Sequence, residues 1–154
     1  AVVLTDSEFY DNGIAGADLW ENGRAYVQGS IFRDTRADSA GVWGEGLRIF
    51  ATPVDAWDNR FERNERAGVF VAGCDSTSRP ARFSTWVNTF TCNAFDMAIA
   101  SYDFLTGTAC SGGLTIEDNG GNQCVISTLC PQEPYLYGTC KAHPIGALTP
   151  VALP

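Results

Sequence analysis

Short runs of alternating apolar and polar residues, broken by clusters of Gly, Asn, Asp and Pro, recur along the whole chain. They fall at 1–5, 24–32, 42–51, 67–73, 82–91, 94–105, 113–117, 123–129, 135–141 and 147–153. In 94–105, Phe95, Met97 and Ile99 alternate with Asp96, Ala98 and Ala100. A period of two is the signature of a half-buried strand. Arg24 to Phe32 alternates less cleanly but carries Tyr26, Val27, Ile31 and Phe32, all good β formers. Asn12-Gly13, Asn22-Gly23 and Asn119-Gly120 are dipeptides that tolerate positive φ at both positions, as tight hairpins require. The pattern predicts an all-β chain: a single domain over 1–154, built as an antiparallel β-sandwich or barrel.

One stretch reads differently. Between Asp55 and Arg66, Trp57 and Phe61 stand four apart, as do Glu62 and Arg66, a spacing that brings side chains together on a helix. A helical turn or a long polar hairpin loop is expected there. The runs show no fixed period, so no internal repeat is expected.

Cysteine usage adds covalent constraint to the picture. Cys74, Cys92, Cys110, Cys124, Cys130 and Cys140 all lie in the C-terminal half. An even number without a C-x-x-C pair predicts disulfides rather than zinc. Six cysteines allow about fifteen connectivities. The expected one is sequential, Cys74–Cys92, Cys110–Cys124 and Cys130–Cys140, each pair bracketing a turn-rich stretch. Residues 110–141 could then form a cysteine-rich sub-lobe, while the N-terminal 73 residues are held by packing alone. Disulfides, a single lysine (Lys141) and a first residue that is Ala rather than Met predict a mature secreted protein.

Charge and composition narrow the partners. The net charge of −8 opposes binding to nucleic-acid phosphates and to anionic membrane surfaces. No apolar run approaches the roughly 20 residues of a membrane helix. Catalysis would have few bases to use: His143 is the only histidine, and Ser111-Gly112-Gly113 lacks the context of a nucleophile elbow. A carboxylate pair such as Asp96 with Asp103 is the remaining enzymatic option. Calcium could be offered oxygens by Glu117, Asp118, Asn119 and Asn122, or by Asp6, Glu8 and Asp11, although turns use the same residues; no metal or other cofactor is expected.

Aromatic residues carry the stronger signal. With four Trp, five Tyr and nine Phe, some aromatic surface should remain outside a small core. Trp20 and Trp57, beside turns and charges, and Tyr135 and Tyr137 are the candidate binding residues. They suit a non-enzymatic secreted module that recognises a protein or a glycan. A second expectation rests on the termini. Val2, Val3, Leu4, Val151 and Leu153 lie in uncharged β-prone ends that could add to a neighbour's sheet and build a filament from copies of the chain.

Overall fold

Strands of three to six residues whose inward positions repeat coil after coil can bury those positions only by stacking on one another. That is the arrangement of the computed structural model, which describes residues 1–20, 23–41, 43–73, 81–100, 114–125, 130 and 142–144. The described residues contain no helix. They form fifteen strands: β1 (Val2–Thr5), β2 (Glu8–Tyr10), β3 (Ala15–Trp20), β4 (Ala25–Gln28), β5 (Ile31–Arg33), β6 (Glu45–Phe50), β7 (Pro53–Trp57), β8 (Arg60–Glu62), β9 (Ala67–Ala72), β10 (Arg82–Trp86), β11 (Thr89–Thr91), β12 (Phe95–Ala100), β13 (Thr115–Asp118), β14 (Gln123–Val125) and β15 (Ala142–Pro144).

Every third strand belongs to the same sheet. The first sheet runs β1-β4-β7-β10-β13, the second β2-β5-β8-β11-β14 and the third β3-β6-β9-β12-β15. All pairings are parallel. The chain therefore climbs as five coils of three strands each, a parallel β-solenoid. The expected antiparallel sandwich or barrel is overturned by this topology. Alternation marks a strand whether its neighbour is parallel or antiparallel, and Asn12-Gly13 and Asn119-Gly120 join strands of different sheets rather than hairpin partners.

The interior is a set of ladders. Phe9, Phe32, Phe61 and Phe90 stack with centroids 4.9, 5.1 and 4.9 Å apart and nearly parallel planes. Those distances match the roughly 4.8 Å spacing of paired strands. Val54, Ala56, Phe83, Leu47, Ile49, Val69, Val71 and Met97 fill the same core. Each coil turns its corners in one way. Asp6, Gly29, Asp58, Val87 and Gly121 at the first corner, and Asp11, Asp34, Arg63 and Cys92 at the second, all have positive φ.

The residue after each corner points a polar group into the stack. Ser30 N–H donates to Asn59 Oδ1 (2.9 Å), Asn59 N–H to Asn88 Oδ1 (2.8 Å) and Asn88 N–H to Asn122 Oδ1 (2.9 Å). In return, Asn59 Nδ2 donates to the Val27 carbonyl and Asn88 Nδ2 to that of Ala56. Asn64 and Asn93 repeat the arrangement at the second corner. One amide thus satisfies a donor and an acceptor of the coil before it, where strand hydrogen bonding lapses. These links span 29 residues between the second and fourth coils, against 23 between the first and second and 34 from Asn88 to Asn122. An internal repeat exists, contrary to expectation, and its drifting period hid it.

Residues 55–66 likewise differ from the expected helical turn or loop: β7 and β8 meet there at the Asp58 corner. Trp57 faces outward while Phe61, four residues on, is buried in the aromatic stack. Close approach explains one glycine column in the third sheet. A Cβ on Gly46 would lie 2.8 Å from the Gly68 carbonyl and 3.0 Å from Phe32 Cβ. A Cβ on Gly68 would meet the Asp96 carbonyl at 2.8 Å.

Cys92, at the second corner, forms a disulfide with Cys130. This excludes the expected pairs Cys74–Cys92 and Cys130–Cys140. In a solenoid, residues one coil apart in sequence become spatial neighbours, so the short sequential loops are not the ones the fold closes. Cys124 is also disulfide-bonded. Cys74, Cys110 and Cys140, and most of the 110–141 sub-lobe, lie outside the described residues.

Candidate functional site

A solenoid built on inward ladders has its functional variety on its outer faces, and the three faces differ. On the second sheet the charged outer residues bond one another. Arg33 Nε donates to Glu8 (2.6 Å), and Arg60 pairs with Glu62. Beside it lies a groove of about 410 Å³ around Tyr10, Asp11, Asp34, Arg36 and Arg63. Arg63 grips Asp34 through two hydrogen bonds of 2.7 and 2.8 Å, and Arg36 pairs with Asp11 at 2.5 Å. The Arg63 guanidinium holds the Asp34 carboxyl below its ordinary range. The guanidiniums of this groove are already engaged by its carboxylates, which argues for a structural clasp.

The third sheet has a dry outer face. Phe50, Ala67, Phe70, Ala72, Ala98 and Ala100 are buried there as a second core, with Trp20 and Phe95 packed against it. Trp20, expected as a binding residue, packs against Phe50 in a tilted arrangement with ring centroids 4.7 Å apart. Glu45 is fully buried and ion-paired with the equally buried Arg66. Arg66 also lies 5.0 Å from the Phe70 ring. Asp96, placed by alternation on a polar face, is buried, and burial pushes its carboxyl up to about 7. Its expected companion Asp103 lies outside the described residues, as do Tyr135, Tyr137, Val151 and Leu153. His143 lies in β15, in register with Ala98 of β12.

The outer face of the first sheet is open and carries aromatic residues in a flat polar array. Alternation along β4, β7 and β10 buries Ala25, Val27, Val54, Ala56 and Phe83 inside and sends Tyr26, Gln28, Asp55, Trp57 and Trp86 outward. Registry places Gln28 beside Trp57, and Trp57 beside Trp86, on adjacent strands. The two indoles are parallel within 7°, with centroids 5.1 Å apart. Rings in contact at about 3.5–4.0 Å whose centroids are farther apart are slipped past one another, the offset arrangement that aromatic pairs prefer. Both are partly buried and partly open to solvent.

Polar groups frame the pair. Arg24 donates to Asp55 through Nε and Nη2 (2.9 and 2.5 Å) and lies over Tyr26. Arg82 bonds Glu117 at 2.6 Å, and Asn119 Nδ2 donates to Ser84 Oγ at 2.8 Å. The oxygens considered for calcium are used in the same way: Asp118 Oδ1 accepts from Gly120 N–H and Asn122 Nδ2, closing the corner. Among the described residues, no cluster of three or more potential metal ligands occurs.

The residue after Trp86 is the anomaly of this face. Val87 occupies a corner with φ 56° and is 55% exposed. Other coils place Asp6, Gly29, Asp58 or Gly121 there. A β-branched residue at positive φ is strained by about 1–3 kcal/mol, and such strain concentrates at functional positions. The sequence pattern singled out Trp57 but neither Trp86 nor Val87. The signal available was registry: Trp57 and Trp86 have the same 29-residue separation as Asn59 and Asn88. The chain matches no protein-family model, and neither a curated protein nor a solved structure shows significant similarity to it.

Proposed function

We propose that this protein is a secreted, non-enzymatic recognition module that binds a neutral glycan chain along the outer face of its first sheet. The observation that carries the reading is the stacked, partly buried Trp57–Trp86 pair, continued by the strained and exposed Val87, on an otherwise polar flat face. Sugar rings present C–H faces to indoles and hydroxyls to planar amides and carboxylates. Gln28, Asp55 and Asn119 supply those groups around the pair. The arginines at the margin are neutralised by Asp55 and Glu117, which favours an uncharged ligand over an anionic one. A flat face suits an extended chain rather than a small molecule enclosed in a cavity. The Cys92–Cys130 disulfide supports an oxidising compartment.

Isothermal titration of neutral oligosaccharides, chosen from a glycan array, tests the proposal. Trp57→Ala and Trp86→Ala should each weaken binding at least about tenfold, or about 1.4 kcal/mol. Equal affinity for the wild type and both variants would place the ligand elsewhere and overturn it.

A further inference from the structure

Asn12-Gly13 and Asn119-Gly120 both lie wholly within the described residues, and the fold treats them in opposite ways. Asparagine is chemically labile, and most so before glycine. The backbone nitrogen of the next residue can reach the asparagine side-chain carbonyl carbon, and glycine has no Cβ to obstruct that approach. Two conditions then govern the reaction in a folded chain: the attacking N–H must be unengaged, and the side-chain amide must be free to turn. Solvent access does not separate the pairs, since Gly13 and Gly120 are both exposed.

At Asn119-Gly120 neither condition is met. Asn119 N–H donates to the Thr85 carbonyl at 2.9 Å, and Asn119 Nδ2 donates to Ser84 Oγ at 2.8 Å. Gly120 N–H donates to Asp118 Oδ1 at 2.8 Å, and the Gly120 carbonyl accepts from Val87 N–H at 3.1 Å. The Asp118 carboxylate also opposes loss of the Gly120 proton, because an amide anion would form beside a negative charge. The amides of Asn59, Asn64, Asn88 and Asn93 are likewise tied to carbonyls of the preceding coil.

At Asn12-Gly13 the chain is anchored on both sides and free between. The Asn12 carbonyl accepts from Arg36 N–H at 2.8 Å, and the Ile14 carbonyl accepts from Gly44 N–H at 2.9 Å. Among the described residues, neither the Gly13 N–H nor the Asn12 side-chain amide has a hydrogen-bond partner. A Cβ built on Gly13 meets nothing within 4 Å, so the dipeptide has room to turn.

We propose that Asn12 is a site of spontaneous deamidation that the folded solenoid leaves open, whereas the bonding of the Asn119 corner suppresses the same chemistry. The Gly13 nitrogen gives its proton to hydroxide and attacks Asn12 Cγ. The new N–Cγ bond closes a succinimide as the Cγ–Nδ2 bond breaks, and ammonia leaves with a proton returned from water. A water molecule then opens the ring at either carbonyl, giving aspartate or isoaspartate. Water is consumed, ammonia is released and nothing is oxidised or reduced. The product places a new carboxylate next to Asp11, which is paired with Arg36. Isoaspartate also lengthens the main chain between the two anchored carbonyls, in the connection from β2 to β3. The inference is independent of the glycan face.

The test is a time course on the folded protein at pH 8. A glutamyl endopeptidase, cutting after Glu8 and Glu21, separates Asn12 from Asn22, and mass spectrometry reads the replacement of amide nitrogen by oxygen. Asn12 should convert at least about tenfold faster than Asn119, and in urea the two rates should come within about twofold, because the protection is conformational. Gly13→Ala fits the open space and should slow conversion of Asn12 at least about tenfold while leaving the urea midpoint in place. Equal rates at Asn12 and Asn119 in the folded protein overturn the proposal. So does an Asn12 that stays intact in the folded protein while the unfolded chain converts. A rate at Asn12 unmoved by Gly13→Ala would mean direct hydrolysis without the ring and overturns it as well.

Discussion

The outer faces of the first and third sheets are made by the same coils at the same strand spacing, yet one is wet and the other dry. On the third sheet, every residue of β9 is buried, and the outward column holds Phe70, Ala72, Ala98 and Ala100. On the first, the outward column holds Gln28, Trp57 and Trp86, with Tyr26, Asp55 and Ser84 alongside. Aromatic residues occur on both, so their presence does not distinguish a binding surface from a packing surface. What separates them is company. The phenylalanines of the third sheet sit among alanines, as a second core requires, whereas the tryptophans of the first sit among amides, carboxylates and a strained corner.

The comparison can be broken by truncating both faces. Phe70→Ala removes a fully buried ring and should destabilise by about 3–5 kcal/mol, read as a lower urea midpoint. Trp86→Ala on the wet face should cost clearly less in the same denaturation series. Equal losses would mean that the first sheet is also a packing surface.

A smaller effect lies in the pH dependence of the dry side. Burial raises the Asp96 carboxyl to about 7 in the folded state, whereas it titrates near 4 in the unfolded chain. Between those values the unfolded state releases its proton while the folded state keeps it. Stability therefore falls as pH rises from about 4 to about 7 and levels off above, by an amount of about 2–4 kcal/mol. Asp96→Asn should flatten that slope and raise stability at pH 8, measured by urea denaturation across pH. An unchanged slope in the variant would assign the pH dependence to other groups.

The smallest effect should separate stability from function on the wet side. Val87→Gly relieves positive-φ strain and keeps the N–H that bonds the Gly120 carbonyl. It should stabilise by up to about 1 kcal/mol while weakening glycan binding. Loss of stability would mean that Val87 is held for packing.

Much of this architecture was legible locally and little of it globally. Most strand runs in the described residues coincide with strands, because alternation is a local consequence of having an inside and an outside. Direction of pairing is not local, and Asn-Gly dipeptides misled there. The repeat was visible in Phe32, Phe61 and Phe90, and in Asn59 with Asn88, but the insertion-dependent coil lengths removed any fixed period. Asp96 was misread for a different reason. Strict alternation fails in β12: Asp96 falls opposite Gly68, in the column of close backbone approach, and is buried within hydrogen-bond reach of Asn93. Trp57 drew notice from its surroundings, while its pairing with Trp86 beside the Val87 corner needed the registry that only the coil stacking provides.

Amide and indole N–H shifts in a nitrogen-15 correlation spectrum, followed while a neutral oligosaccharide is added, test the central claim most directly. The account predicts saturable shifts confined to the Trp57 and Trp86 indoles and to backbone amides of β4, β7, β10 and the Val87 corner. Saturable shifts on the second or third sheet with silent indoles would contradict it.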